Sequence, residues 1–118
     1  MKFSVIEMKA IEDYKIIIVF KDSSVKIFDM KPYLEKGSFK ELKDEEIFKS
    51  AGINLDTIQW SNGVDIDPEL LYENSVSCPY NLLKKLFKNS ELREDQDFYM
   101  KLSNMVLQKE QSKILSTK

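Results

Sequence analysis

Histidine is absent from this 118-residue chain. Its absence removes the most common general base and the most common nitrogen ligand for a metal. Cysteine occurs once, as Cys78. No internal disulfide can form, and a lone thiol suits a reducing, cytoplasmic setting. With no histidine to activate it, Cys78 also makes a poor nucleophile. Glycine occurs three times, at Gly37, Gly52 and Gly63, too far apart for a phosphate-cradling loop. No apolar run approaches the roughly 18 residues of a membrane span. The start, MKFSVIEMK, has one early Lys and is interrupted by Glu7, so it does not read as a signal peptide. No internal repeat or low-complexity segment is present.

What is present suits one modest domain with an appendage. Charge is divided unevenly. Residues 1–80 hold ten Lys against fifteen Asp/Glu, a net of −5, and residues 81–118 hold eight Lys/Arg against five Asp/Glu, a net of +3. An acidic body with a basic tail suggests that the tail faces a partner, although solubility alone is the blander reason for such a bias.

The apolar pattern first reads as strands. Phe3–Ala10 is one. Tyr14–Phe20 is the strongest, with Ile16 to Val19 apolar on both faces, as in a central strand covered on both sides. Ser24–Asp29 is its hairpin partner. A two-residue loop at Asp22-Ser23 pairs Phe20 with Val25 and Ile18 with Ile27, although Ser23 suits such a turn less well than glycine. The middle reads as short helices. Asp29 caps Met30–Lys36, Ser38-Phe39-Lys40-Glu41 has capping-box spacing, and Asp44 starts a helix through Ser50 that Gly52 terminates. Strands return at Ile53–Leu55 and Thr57–Trp60.

The run Trp60–Tyr72, WSNGVDIDPELLY, is the most informative stretch. A two-residue loop at Asn62-Gly63 would split Ile58, Trp60, Val64 and Ile66 between two faces. A three-residue loop, Ser61-Asn62-Gly63, pairs Trp60 with Val64 and Ile58 with Ile66, which puts all four on one face. Burial selects the second register and asks Gly63 for a left-handed φ. Asp67 then caps a helix with Pro68 at its first position. From Leu82 the pattern is helical: Leu82, Leu83, Leu86 and Phe87 form one stripe, Ser90 is placed to cap a second helix, and Phe98, Leu102, Met105 and Val106 continue at helical spacing.

Three sets of residues suggest chemistry, and each has a plainer reading. Asp65, Asp67 and Glu69 resemble a hard-cation set. However, Asp67 has a capping role, Asp65 lies on the solvent face of a hairpin, and Glu69 suits a helix N-terminus. Ser23 and Lys26 match a Ser-x-x-Lys spacing but fall on a hairpin turn, pointing in different directions. Trp60 is either a binding anchor or core, and its place facing Ile58 and Val64 favours core. Tyr33, Tyr72 and Tyr80 are better surface candidates.

The segments Tyr14–Asp22, Phe28–Leu34, Gly37–Leu42, Phe48 and Trp60–Tyr72 together resemble, in order and spacing, the bacterial family known as domain of unknown function 2442. The resemblance covers roughly residues 3–76. It implies a compact α+β fold with a small antiparallel sheet. It also implies a setting, since such genes are similar to partners in toxin–antitoxin-like pairs and some relatives carry a helix-turn-helix domain. No catalytic residues carry over. The chain departs from the pattern at Ser23, where glycine is usual, and at Ser61, where proline is frequent. Both departures affect turns.

The expected fold is therefore α+β, a small antiparallel sheet with short helices followed by a C-terminal helical segment. Its parts are a domain over 1–76, a linker over 77–81 and a helical extension over 82–118. The expected function is non-enzymatic: a protein-binding module that neutralises or regulates a partner, antitoxin-like, in a bacterial or mobile-element system. The alternative is a DNA-binding transcriptional regulator or an accessory subunit of one. It draws on Lys84, Lys85, Lys88 and Arg93, but Glu91, Glu94, Asp95 and Asp97 interrupt that basic face. No cofactor, metal or membrane is expected. The partner is another protein, toxin-like or related to a mobile element, with self-association through the C-terminal helices as a further option and nucleic acid less favoured. Candidate contact residues are Leu83, Leu86, Phe87, Phe98, Leu102 and Met105. Asn62, Gly63, Asp67 and Pro68 are turn and cap residues.

Overall fold

The computed structural model describes residues 3–116, with side chains described through Lys109. The chain divides into two compact units, Met1–Ser77 and Cys78–Lys118.

In unit 1 the strands are β1 (Val5–Ile11), β2 (Lys15–Phe20), β3 (Val25–Asp29), β4 (Gly52–Asn54), β5 (Thr57–Gln59) and β6 (Val76–Ser77). The helices are α1 (Glu45–Lys49) and α2 (Pro68–Asn74), preceded by 3₁₀ turns at Lys31–Tyr33 and Gly37–Lys43. Four strands form an antiparallel sheet in the order β1-β2-β3-β6, and β4-β5 is a separate antiparallel ribbon. The fold is α+β. As its apolar run predicts, β2 is an inner strand, and Ile16, Ile17, Ile18, Val19 and Phe20 are all fully buried. Ile16, Ile18 and Phe20 join Phe28, Met30, Leu42, Phe48, Ile58, Trp60 and Leu71 in one core, while Ile17 and Val19 alternate to the opposite face.

The β2-β3 hairpin corrects the expected register. Val19 pairs with Val25, Ile18 with Lys26 and Ile17 with Ile27. The loop has three residues, Lys21-Asp22-Ser23, with Phe20 N–H donating to Ser24 C=O at 3.0 Å. A two-residue turn of type I′ needs two positive φ values, whereas this loop needs only Ser23 at φ +71. Asp22 holds the turn by accepting from Ser24 N–H at 2.9 Å and Ser24 Oγ at 2.6 Å. The register also gives each face its own apolar pairs: Ile16 with Phe28 on one, Ile17 with Ile27 and Val19 with Val25 on the other.

The interrupted middle differs in its ends. Asp29 does accept from Lys31 N–H at 3.0 Å, but the expected helix over Met30–Lys36 shortens to a 3₁₀ turn at Lys31–Tyr33. Ser38 and Glu41 form no capping box. Gly37–Lys43 is a 3₁₀ segment in which Phe39 N–H already donates to Lys36 C=O at 3.0 Å. Asp44 caps α1 as expected, accepting from Glu46 N–H at 2.9 Å and Ile47 N–H at 3.4 Å. Ser50, not Gly52, ends that helix, since its N–H donates to Ile47 C=O at 3.0 Å and its hydroxyl bonds the same carbonyl. Gly52 opens β4 instead.

In unit 2, α3 (Tyr80–Asn89) and α4 (Arg93–Ser116) are joined by Ser90–Leu92 and pack against each other. Only Cys78 and Pro79 separate β6 from α3, so the five-residue linker over 77–81 is not seen. Pro79 accounts for the abrupt start: its fixed φ of −66° sets the N-cap, and its carbonyl accepts from Leu83 N–H at 3.3 Å. Ser90 does not cap α4. Its N–H ends α3 on Phe87 C=O at 3.3 Å, while its own C=O accepts from Gln96 Nε2 at 2.9 Å.

Candidate protein-interaction site

The Trp60–Tyr72 stretch folds as its pattern requires. Trp60 N–H donates to Val64 C=O at 2.8 Å, Ile66 N–H to Ile58 C=O at 3.2 Å, and Gln59 bridges Asp65, the register of a three-residue loop. Gly63 has φ +88. Asn62 Oδ1 accepts from Val64 N–H at 3.1 Å. Asp67 accepts from Glu69 N–H at 3.0 Å, with Pro68 in the first helical position. Asn62, Gly63, Asp67 and Pro68 thus serve as turn and cap. Trp60 is buried, and its indole donates to Phe48 C=O at 3.0 Å.

The groups that suggested chemistry are engaged in the architecture. Asp65 and Glu69 are exposed, and among the described residues no cluster of three or more acidic or cysteine side chains is placed to hold a metal. Lys26 Nζ donates to Tyr72 C=O at 3.1 Å and lies 3.9 Å from the Tyr72 ring centroid, away from any role with Ser23. Tyr72 is half-buried. Its hydroxyl donates to Asp22 Oδ2 at 2.6 Å, an attachment that raises its pKa, and its ring meets Phe20 edge-on at 5.0 Å. Tyr33 stacks on Phe28 at 5.4 Å. Burial pushes the Cys78 thiol up to about 12, so it stays protonated and unreactive at neutral pH.

A shallow groove of about 690 Å³ lies in unit 1, between the Gly37 turn and the Asn62-Gly63 hairpin. Its walls carry Lys36, Glu41 and Asp65 beside Phe39 and Val64. Such a mixed, open surface can hold a peptide edge by hydrogen bonds.

The helical unit sorts its candidate contact residues into two groups. Leu83 and Leu102 are fully buried. Leu86, Phe87, Phe98 and Met105 are half-buried. Tyr99 and Ser103 are also buried, with Ser103 Oγ donating to Tyr99 C=O at 2.7 Å. The 3.6-residue period puts Met100 and Leu107 on the side of α4 opposite Phe98, Leu102 and Met105. Both are exposed, at 39% and 37%. The stripe alone did not reveal them, although their seven-residue spacing was a usable signal.

Five further aliphatic residues are exposed that the sequence did not single out: Ile6, Ile53, Leu55, Val76 and Leu92. Leu55 was the detectable one, because leucine is not a turn residue and it occupies the β4-β5 turn. Among the described residues, no helix is long and apolar enough to cross a membrane.

The family described as Protein of unknown function (DUF2442) matches residues 5–77. The chain belongs to that family, and α3 and α4 lie beyond the matched residues. No curated protein and no solved structure matches the chain.

Proposed function

We propose that this chain is a non-enzymatic, cytoplasmic protein-binding module that neutralises or regulates a partner protein, antitoxin-like in logic, in a bacterial or mobile-element system. The observation that carries the reading is α4, which keeps apolar side chains exposed at the edge of its buried side. A helix that serves only its own core is apolar on one side and polar on the other. Here Leu102, Tyr99 and Ser103 are buried, and Met100 and Leu107, 39% and 37% exposed, carry the apolar surface past them into solvent. Met and Leu one heptad apart are the anchors by which a helix enters an apolar groove. The partner reads Met100 and Leu107. This moves the expected contacts from the buried stripe to the exposed edge of the helix beside it.

The test is affinity capture from the native host with the full chain, against the double variant Met100→Glu, Leu107→Glu. The expected result is one specific partner recovered by the unaltered chain and lost by the variant, with both melting at similar temperature. Equal recovery by both would exclude the exposed edge of α4 as the docking surface. Recovery of nucleic acid in place of protein would favour the DNA-binding alternative, in which the exposed Lys84, Lys85 and Lys88 contact phosphate.

A further inference from the structure

We infer that the β4-β5 turn is a second docking point, in which Leu55 enters an apolar pocket with a basic rim on the partner protein. Asn54 pairs with Thr57, so Leu55-Asp56 is the entire loop. Leu55 is 89% exposed and has φ +56. Both conditions disfavour leucine. Its Cβ crowds the backbone in the left-handed region, and its apolar surface lies in water. Glycine or asparagine would make the same turn without either cost.

The neighbours strengthen the point. Val5 N–H donates to Asp56 C=O at 2.9 Å, tying the turn to the start of β1. Ile6, the next residue of β1, is 50% exposed, and Ile53 on β4 is 44% exposed. Three aliphatic residues therefore stand in water at one corner of unit 1. A residue held in a left-handed conformation, in solvent and beside other exposed aliphatics, is a candidate contact for a partner.

Charge selects the occupant. Unit 1 carries ten Lys against fifteen Asp/Glu, and Asp56 sits beside Leu55. Symmetric pairing of two such corners would bring like charges together. A foreign protein with basic residues around an apolar pocket meets the corner with opposite sign. The inference rests on the reading above that the chain binds a partner protein.

The experiment uses the full chain and its Leu55→Asn variant as immobilised baits for a clarified native-host lysate, at low and at high salt. Leu55→Asn is expected to raise the melting temperature by roughly 2–5 °C, because asparagine tolerates the left-handed turn. The same change should lower recovery of the specific binder at least about tenfold. That binder should be a basic protein, released at high salt. Equal recovery by both baits overturns the docking point and leaves partner binding by α4 standing. A bait that recovers only a second copy of its own chain overturns the choice of a foreign partner. Failure of the unaltered bait to recover any specific binder overturns the partner reading and this inference together.

Discussion

In unit 1, among the described residues, the buried side chains are apolar except for Ser4 and Ser75, and none of them titrates. In unit 2, among the described residues, the buried set is Cys78, Leu83, Tyr99, Leu102 and Ser103, two of which are acids. The first region gains its order from strands closed by specific turns. The second gains it from two helices packed on each other. The contrast shows what each kind of pattern specifies. A turn residue with a required φ selects one register among neighbours, and register decides which side chains are buried. A helical stripe groups residues on one side without saying whether that side faces in or out.

The largest expected difference between the regions lies in core truncation. Phe48 is buried, meeting Tyr14 edge-on at 5.2 Å and Trp60 at 6.5 Å, and its carbonyl accepts the Trp60 indole hydrogen bond. Phe48→Ala should cost about 3–5 kcal/mol in chemical denaturation. A loss below about 1 kcal/mol would mean that unit 1 is not packed around this aromatic cluster.

Alkali should act in the opposite sense, on unit 2. Burial pushes the Cys78 thiol up from 9.0 to about 12 and, with Asp95 adding to it, the Tyr99 phenol up from 10.0 to about 12. Between those limits the unfolded chain releases protons that the folded chain retains, so stability falls as pH rises. Helical ellipticity should melt at lower temperature at pH 11 than at pH 8, and Cys78→Ala should remove part of the decline. A melting temperature that stays flat to pH 11 would contradict burial of these groups.

The smallest effect concerns turn chemistry. Gly63 has φ +88, and a side chain there meets no atom within 4 Å. The cost of Gly63→Val is therefore conformational, on the order of 1–2 kcal/mol. An unchanged melting temperature would count against the three-residue loop.

The same contrast explains what was legible in the sequence. Asn62-Gly63 with apolar neighbours, and Asp67-Pro68 before a helix, each admit one good solution, and the structure adopts it. Asp22-Ser23 did not. Counting a two-residue loop there missed that Ser23 alone takes the left-handed position while Asp22 bonds Ser24. Ser38 and Glu41 had the right spacing for a cap, but local 3₁₀ bonding satisfied the backbone first. In unit 2 the periodicity of Leu83 and Leu102 was sound, yet those residues face inward. Met100 and Leu107 carry the outward apolar surface. Leu55 escaped notice because its importance lies in a φ value that no periodicity records.

The division of labour between the regions is tested most directly by hydrogen exchange on the full chain, with and without the partner recovered by affinity capture. In the free protein, the amides of Ile16–Val19 should exchange most slowly, as expected for a buried inner strand. On adding the partner, exchange across Phe98–Leu107 should slow by about tenfold or more, and the β2 amides should hardly change. Unchanged exchange along α4 in the presence of bound partner would contradict the account, as would fast exchange of Ile16–Val19 in the free protein.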